Sequence, residues 1–105
     1  MEFIYITCNV SMLEAITNLL DENKFTDYQV IEQVTAKSNY SLPRLNTAVW
    51  PSYNSAIFIQ ESDTRKVSSF IEKVKQMNRS AFNNGELIAL FAWNVHTYLE
   101  VKSVE

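Results

Sequence analysis

The chemistry open to this chain is narrowed by how few of its residues could perform any: one histidine, one cysteine and one glycine in 105 positions. A transition-metal centre needs several His, Cys or carboxylate ligands converging with a set geometry. A symmetric assembly can gather three copies of one residue, so His96, close to the end of the last apolar run, is the candidate metal ligand; its plain alternative is a surface or interface histidine. Cys8 closes an apolar run with no base or cationic neighbour in sequence, and reads as a small buried filler rather than a nucleophile. Glu2, Glu32, Glu61 and Glu86 fall at strand ends or on wet faces. They form no pattern of the kind general acid–base catalysis requires, so the expectation is a protein that is not an enzyme. A lone Gly85 also excludes the glycine-rich phosphate cradles of P-loop and dinucleotide-binding proteins.

The stretch with most to explain is Thr35 to Ser55, TAKSNYSLPRLNTAVWPSYNS, which lies between two runs that read as neighbouring strands. Two antiparallel strands are joined by two to five residues, so a connection of about twenty implies function or structure of its own. It holds both prolines, two tyrosines, Trp50 and only two charges, Lys37 and Arg44. Disordered linkers lack such aromatic content. The expectation is a projecting loop whose second half, around Ala48-Val49-Trp50-Pro51, docks on another surface; the alternative is a tryptophan that plugs its own core.

Length and balance bound the rest. The chain fits one domain, 1–105, with an ordinary globular composition of 47% apolar and 20% charged residues. A net charge of −3 and nine scattered basic residues argue against a nucleic-acid surface. The single cysteine and the opening MEFIYITCNV, with neither a basic leader nor a long apolar run, point to the cytoplasm. No stretch reaches the roughly eighteen apolar residues needed to span a bilayer, so no direct membrane insertion is expected.

The positioning elements follow from periodicity. Residues 2 to 8 are apolar in both alternating sets, which predicts a central strand. Ser11 and Glu14 stand at capping-box spacing before a helical face of Leu13, Ile16 and Leu20, with the helix ending at Asn23 or Lys24. Tyr28 to Val34 alternates with one wet face, as an edge strand does. Ser55 to Gln60 is a short apolar strand, and Asp63 or Thr64 caps a second helix. In that helix Val67, Phe70, Ile71, Val74 and Met77 recur at helical spacing. Asn83-Asn84-Gly85 is a turn, and Glu86 to Val95 is a last strand, apolar enough to lie inside the sheet or under a neighbouring subunit.

The order β-α-β-loop-β-α-β predicts an α+β, ferredoxin-like fold: a four-stranded antiparallel sheet with both helices on one face. Aromatic side chains from alternate strand positions then crowd the other face, so an oligomer with sheets turned inward is expected.

This layout resembles the nitrogen-regulatory PII superfamily, including its PII-like members and the related CutA-type divalent-ion tolerance proteins. The second turn stands where that family has its B-loop, and the connection at about 36–54 where it has its T-loop. The segment PRLNTAVWPSYNSAIFI looks particularly like PII-like proteins associated with heavy-metal efflux transporters. The resemblance implies a homotrimer with ligand clefts between subunits, and a loop that responds to a small anion, nucleotide or metal and docks on a transporter or enzyme. Carried over by position, ligand-facing residues are Thr35, Ala36 and Lys37 at the loop base and Arg79, Ser80, Asn83, Asn84 and Gly85 at the second turn. Arg44 and Trp50 belong to the partner-reading loop. Nucleotide-binding members have a glycine-rich B-loop, whereas this turn reads SAFNNGEL, with few groups to offset a triphosphate. A CutA-like metal-binding trimer and a dimeric α+β barrel enzyme are the alternatives.

Overall fold

A computed structural model describes residues 1–37, 44 and 52–99. Its elements are β1 (Glu2–Asn9), α1 (Leu13–Glu22), β2 (Tyr28–Val34), β3 (Asn54–Glu61), α2 (Thr64–Arg79) and β4 (Ala89–Asn94), with short 3-10 turns at Val10–Met12 and Asn84–Glu86. The strands form one antiparallel sheet in the order β2-β3-β1-β4. This is the ferredoxin-like α+β arrangement, with β1 and β3 inside and β2 and β4 at the edges. The two-sided apolarity of residues 2–8 correctly marks a central strand.

One face of the sheet is the core. Ile4, Ile6 and Cys8 of β1 and Ile57 and Ile59 of β3 meet Ile16 and Leu20 of α1 and Phe70 and Val74 of α2, all fully or almost fully buried. Each such side chain contributes roughly 1.5–3 kcal/mol through removal from water. The α2 stripe predicted from its spacing is therefore core, and Phe70 lies 5.2 Å from Phe25, ring centre to ring centre.

Helix ends are fixed by polar contacts, not all of them the expected ones. Asp63 caps α2 as its position predicts, accepting from the N–H groups of Arg65 and Lys66. Just before it, Glu61 accepts from the Ser62 and Asp63 N–H groups and pairs with Lys66 at 3.0 Å. Partial burial would raise the Glu61 pKa, but these bonds outweigh it and hold the carboxyl below its ordinary value. Ser11 is not the cap of α1. Asn9 instead accepts from the Ser11 N–H and starts the 3-10 turn, and α1 begins at Leu13 without a side-chain cap. Lys24, not Asn23, takes the left-handed conformation, with φ 63°.

The last strand is shorter than expected and lies at an edge of the sheet, which corrects the first of its two expected placements, inside the sheet, and leaves the second, under a neighbouring subunit. Glu86 is spent in the turn, and Ile88 is clamped to α2, so pairing with β1 runs only from Ala89 to Asn94.

Among the described residues no helix covers the opposite sheet face. Trp93, Phe3, Phe58, Tyr5 and Phe91 form a continuous row across β4, β1 and β3, with successive ring centres 5.1, 6.1, 5.2 and 6.0 Å apart. Trp93 and Ile31 are each 49% exposed and Phe91 56%. Half-exposed aromatic rings in such a row make an apolar patch of the kind that marks interfaces.

Candidate functional site

At one end of the sheet, β1 finishes, β3 begins and β2 runs out into the long connection. Here the core gives way to buried polar groups. Asn54 is 4% exposed and Ser55 fully buried; Ser55 donates to the Glu32 carbonyl at 2.6 Å, tying β3 to β2 where their register shifts. Asn54 donates to the Thr7 hydroxyl at 3.0 Å, and Asn9 to the Ser52 hydroxyl at 2.7 Å. The Val10 N–H reaches the Tyr53 carbonyl. Polar groups this deep are tolerated because each finds a partner.

Arg44 lies at the centre of this network. Its backbone exchanges two hydrogen bonds with Ala36, at 2.7 and 2.8 Å, closing a β-bridge at the base of the connection. Its side chain turns inward: only 6% of the residue is exposed. Nη1 donates to Asn54 Oδ1 at 2.8 Å and Nη2 to the Gly85 carbonyl at 2.9 Å. One guanidinium thus links the loop base, the start of β3 and the second turn. For the partner-reading role assigned by resemblance, this means that in the single chain Arg44 faces the interior of the domain.

The second turn is shaped by side chains, where a glycine-rich loop would be shaped by φ. Asn83 accepts from the Gly85 N–H and Glu86 from the Phe82 N–H. The Glu86 and Leu87 N–H groups bond to the Asn83 and Asn84 carbonyls. Asn78 of α2 holds both polar groups of the Ile88 backbone, at 2.8 and 2.9 Å, as a neighbouring strand would. Gly85 has no positive φ; what distinguishes the position is a close side-chain neighbour. A Cβ there would lie 2.9 Å from Asn83 Oδ1 and 3.4 Å from Arg44 Nη2.

The structure therefore brings Ala36 and Gly85 together through Arg44. Thr35 and Lys37 are exposed beside them, as are Asn83 and Asn84 on the turn and Arg79 and Ser80 at the end of α2. Arg79 is 3.9 Å from Glu72 and points to solvent. The expectation for Trp50 lies outside the described residues. His96 sits beyond β4, at the far end of the sheet from Arg44, exposed and 3.1 Å from the Thr97 hydroxyl. Among the described residues no three His, Cys, Asp or Glu side chains converge as a metal site within the chain. Cys8 is fully buried. Burial pushes its thiol pKa up to about 11 against the lowering influence of Arg44. An open groove of about 330 Å³ on the uncovered face is lined by Phe3, Asp27, Tyr28, Phe58 and Gln60 among others, and no described candidate residue is part of its lining.

Sequence reasoning missed Asn54, Asn78, Thr7 and Asn9. For Asn54 a signal was present in the polar run Ser52-Tyr53-Asn54-Ser55 directly before a strongly apolar strand.

No protein-family model matches the chain, and no curated protein does. Solved structures do. The chain is similar to CPII, described as a nitrogen regulatory PII-like protein from Thiomonas intermedia K12, bound to ADP, AMP and bicarbonate; the TM-score is 0.66 at 13% identity, over 95% of this chain and 94% of that one. The same protein bound to ADP, AMP and acetate aligns with a TM-score of 0.65 at 13% identity, over 87% and 81%. A protein of Thermus thermophilus described as PII-like in signalling gives 0.63 at 7% identity, over 90% and 85%. At these identities the likeness establishes a shared fold.

Proposed function

We propose that the chain is a PII-like regulatory protein that binds a small ligand, an anion or nucleotide, where the loop base meets the second turn, and reports its presence to a partner through the connection at about 36–54. The observation that carries this reading is the Arg44 tie. A single cation joins the two segments that border the ligand cleft in the resemblance, so a ligand that engages it acts on both at once. The fold shared with CPII, which is described as bound to ADP, AMP and bicarbonate or acetate, supports the ligand class.

The assembly we propose is a homotrimer whose subunits turn their aromatic sheet faces inward. The row from Trp93 to Phe91 supports it, because burying rings that are half exposed supplies an apolar driving force at about 25 cal/mol per Å². The role we propose is regulatory, and among the described residues the polar end offers directed donors and a cation. Thr35, Lys37, Arg79, Ser80, Asn83 and Asn84 are exposed polar groups that a ligand would meet, and a membrane transporter or an enzyme is the proposed partner.

Solution mass together with calorimetric titration of ADP and sodium bicarbonate tests the reading. It expects three times the 12.2 kDa chain mass and saturable binding of at least one ligand. A particle of one chain mass that binds neither would overturn it.

A further inference from the structure

We propose that the second turn has filled its own anion site: the Glu86 carboxylate and the Asn83 carboxamide occupy backbone N–H groups that a phosphate would need, and these two residues set the ligand preference of the chain against a phosphate chain. This rests on the ligand-binding reading above and narrows its ligand class.

A backbone holds a phosphate by pointing several N–H groups into one concavity, as successive residues in the αR and αL conformations do. The turn after α2 lacks that geometry. None of its residues has a positive φ, not even Gly85, the one best able to adopt it. Asn83 is extended, with φ −154° and ψ 171°, so its own N–H and that of Asn84 point to opposite sides of the chain.

The other donors are already engaged. From Ser80 to Ile88, every N–H except those of Asn83 and Asn84 has an acceptor within the chain. Two of these acceptors are side chains that the turn itself supplies. Glu86 Oε2 accepts from the Phe82 N–H at 3.0 Å, and Asn83 Oδ1 from the Gly85 N–H at 2.8 Å. A carboxylate on a backbone N–H makes a charge-assisted bond, roughly twice as strong as a neutral one, so an incoming phosphate has to displace a group that resembles it. The displaced carboxylate then remains beside it as a like charge, a repulsive element of the kind that discriminates between ligands.

The surroundings act in the same direction. Helix α2 ends at Arg79, so its carbonyl end, with a partial negative charge, faces the turn. Arg44 Nη2 donates to the Gly85 carbonyl at 2.9 Å and adds its charge to the inner side of the turn. The Phe82 side chain, 94% exposed, gives the outer side an apolar tip. A ligand that meets this turn meets a ring and two carboxamides, not a converging set of donors.

Calorimetric titrations of the intact protein with sodium bicarbonate, adenosine, ADP and inorganic pyrophosphate, at constant ionic strength, test this on wild type, Asn83→Gly/Glu86→Ala and Glu86→Gln. Wild type should bind ADP no more tightly than adenosine. The double variant, with the Phe82 and Gly85 N–H groups released, should bind pyrophosphate at least about tenfold more tightly than wild type does, the factor that one such bond supplies. Glu86→Gln keeps an acceptor for the Phe82 N–H and should show no such gain. Wild type that holds ADP about tenfold or more tightly than adenosine would overturn the inference and leave the regulatory reading standing; this comparison needs no variant to fold. An equal gain in Glu86→Gln, or none in a folded double variant, would also overturn it. If wild type binds neither bicarbonate, adenosine nor ADP while the double variant gains pyrophosphate, the regulatory reading falls and this inference stands.

Discussion

The two ends of the buried interior are held together differently. Beneath the helices, Ile4, Ile6, Ile57, Ile59, Ile16, Leu20, Phe70 and Val74 form a contiguous apolar cluster with no direction to its forces. Where the long connection leaves β2 and enters β3, Thr7, Asn54, Ser55, Arg44 and Gly85 are joined by bonds that each name one donor and one acceptor. A ligand cannot easily compete for a packed isoleucine, but it can compete for a hydrogen bond. The apolar half supplies stability, and the polar half supplies a place where another molecule can substitute for an internal partner.

The largest expected effect belongs to the apolar half. Phe70→Ala empties a fully buried ring position against Phe25 and should cost about 3–5 kcal/mol in chemical denaturation. Ligand affinity of the molecules that remain folded should not change. A folded Phe70→Ala protein with lost affinity would break the division between the two halves.

Asn78→Ala comes next. It removes both amide bonds to Ile88 and leaves that backbone short of partners, at a cost of about 1–3 kcal/mol. The loss should be local, with amide exchange rising at Ile88 and in the turn before it while α1 stays protected. Uniform loss of protection would place Asn78 in the global core instead.

Gly85→Ala should cost about 1 kcal/mol or somewhat more through overpacking, because its new methyl meets Asn83 Oδ1 at 2.9 Å. The same methyl lies in contact with Arg44 Nη2, 3.4 Å away, so ligand titration should register this variant more strongly than thermal melting does. If melting falls steeply while binding is unchanged, the turn is merely structural.

The smallest effect is one of pH. Cys8 keeps its proton to about 11 when folded, whereas its ordinary value is 9.0. Above pH 9 the unfolded chain releases that proton and the folded chain does not, so stability should fall as pH rises from 9 to 11. A Cys8→Ala variant should lack this component of the decline. At neutral pH the folded thiol should resist alkylation; rapid labelling of native protein would show that the sheet interior opens.

Much of the fold was legible because burial leaves a period. The α2 stripe reports which side of the helix faces the core, and the double-sided apolarity of β1 and the mixed face of β2 report an inner and an edge strand; each is found there, although β2 is exposed on both faces along most of its length. Directed bonds leave no such trace. Arg44 meets Gly85 across 41 positions and Asn54 meets Thr7 across 47, so neither pairing has a sequence spacing to read. The capping serine failed for a related reason: Asn9, two residues earlier, accepts from the Ser11 N–H and starts a 3-10 turn over Val10–Met12, which places Ser11 inside that turn and not at the α1 boundary. The last strand was overextended because Leu87 and Ile88 continue its apolar run, yet side-chain bonds from Asn83, Glu86 and Asn78 bind this stretch into a turn.

Backbone amide chemical shifts, followed while bicarbonate and then ADP are added to the intact protein, test the account most directly. The expected result is that the amides of Ala36, Arg44 and Gly85 move together at the lowest ligand concentrations, with those of α1 and the start of β1 still. Shifts centred on the groove at Phe3, Asp27 and Phe58, or no shifts at saturating concentrations of either ligand, would contradict it.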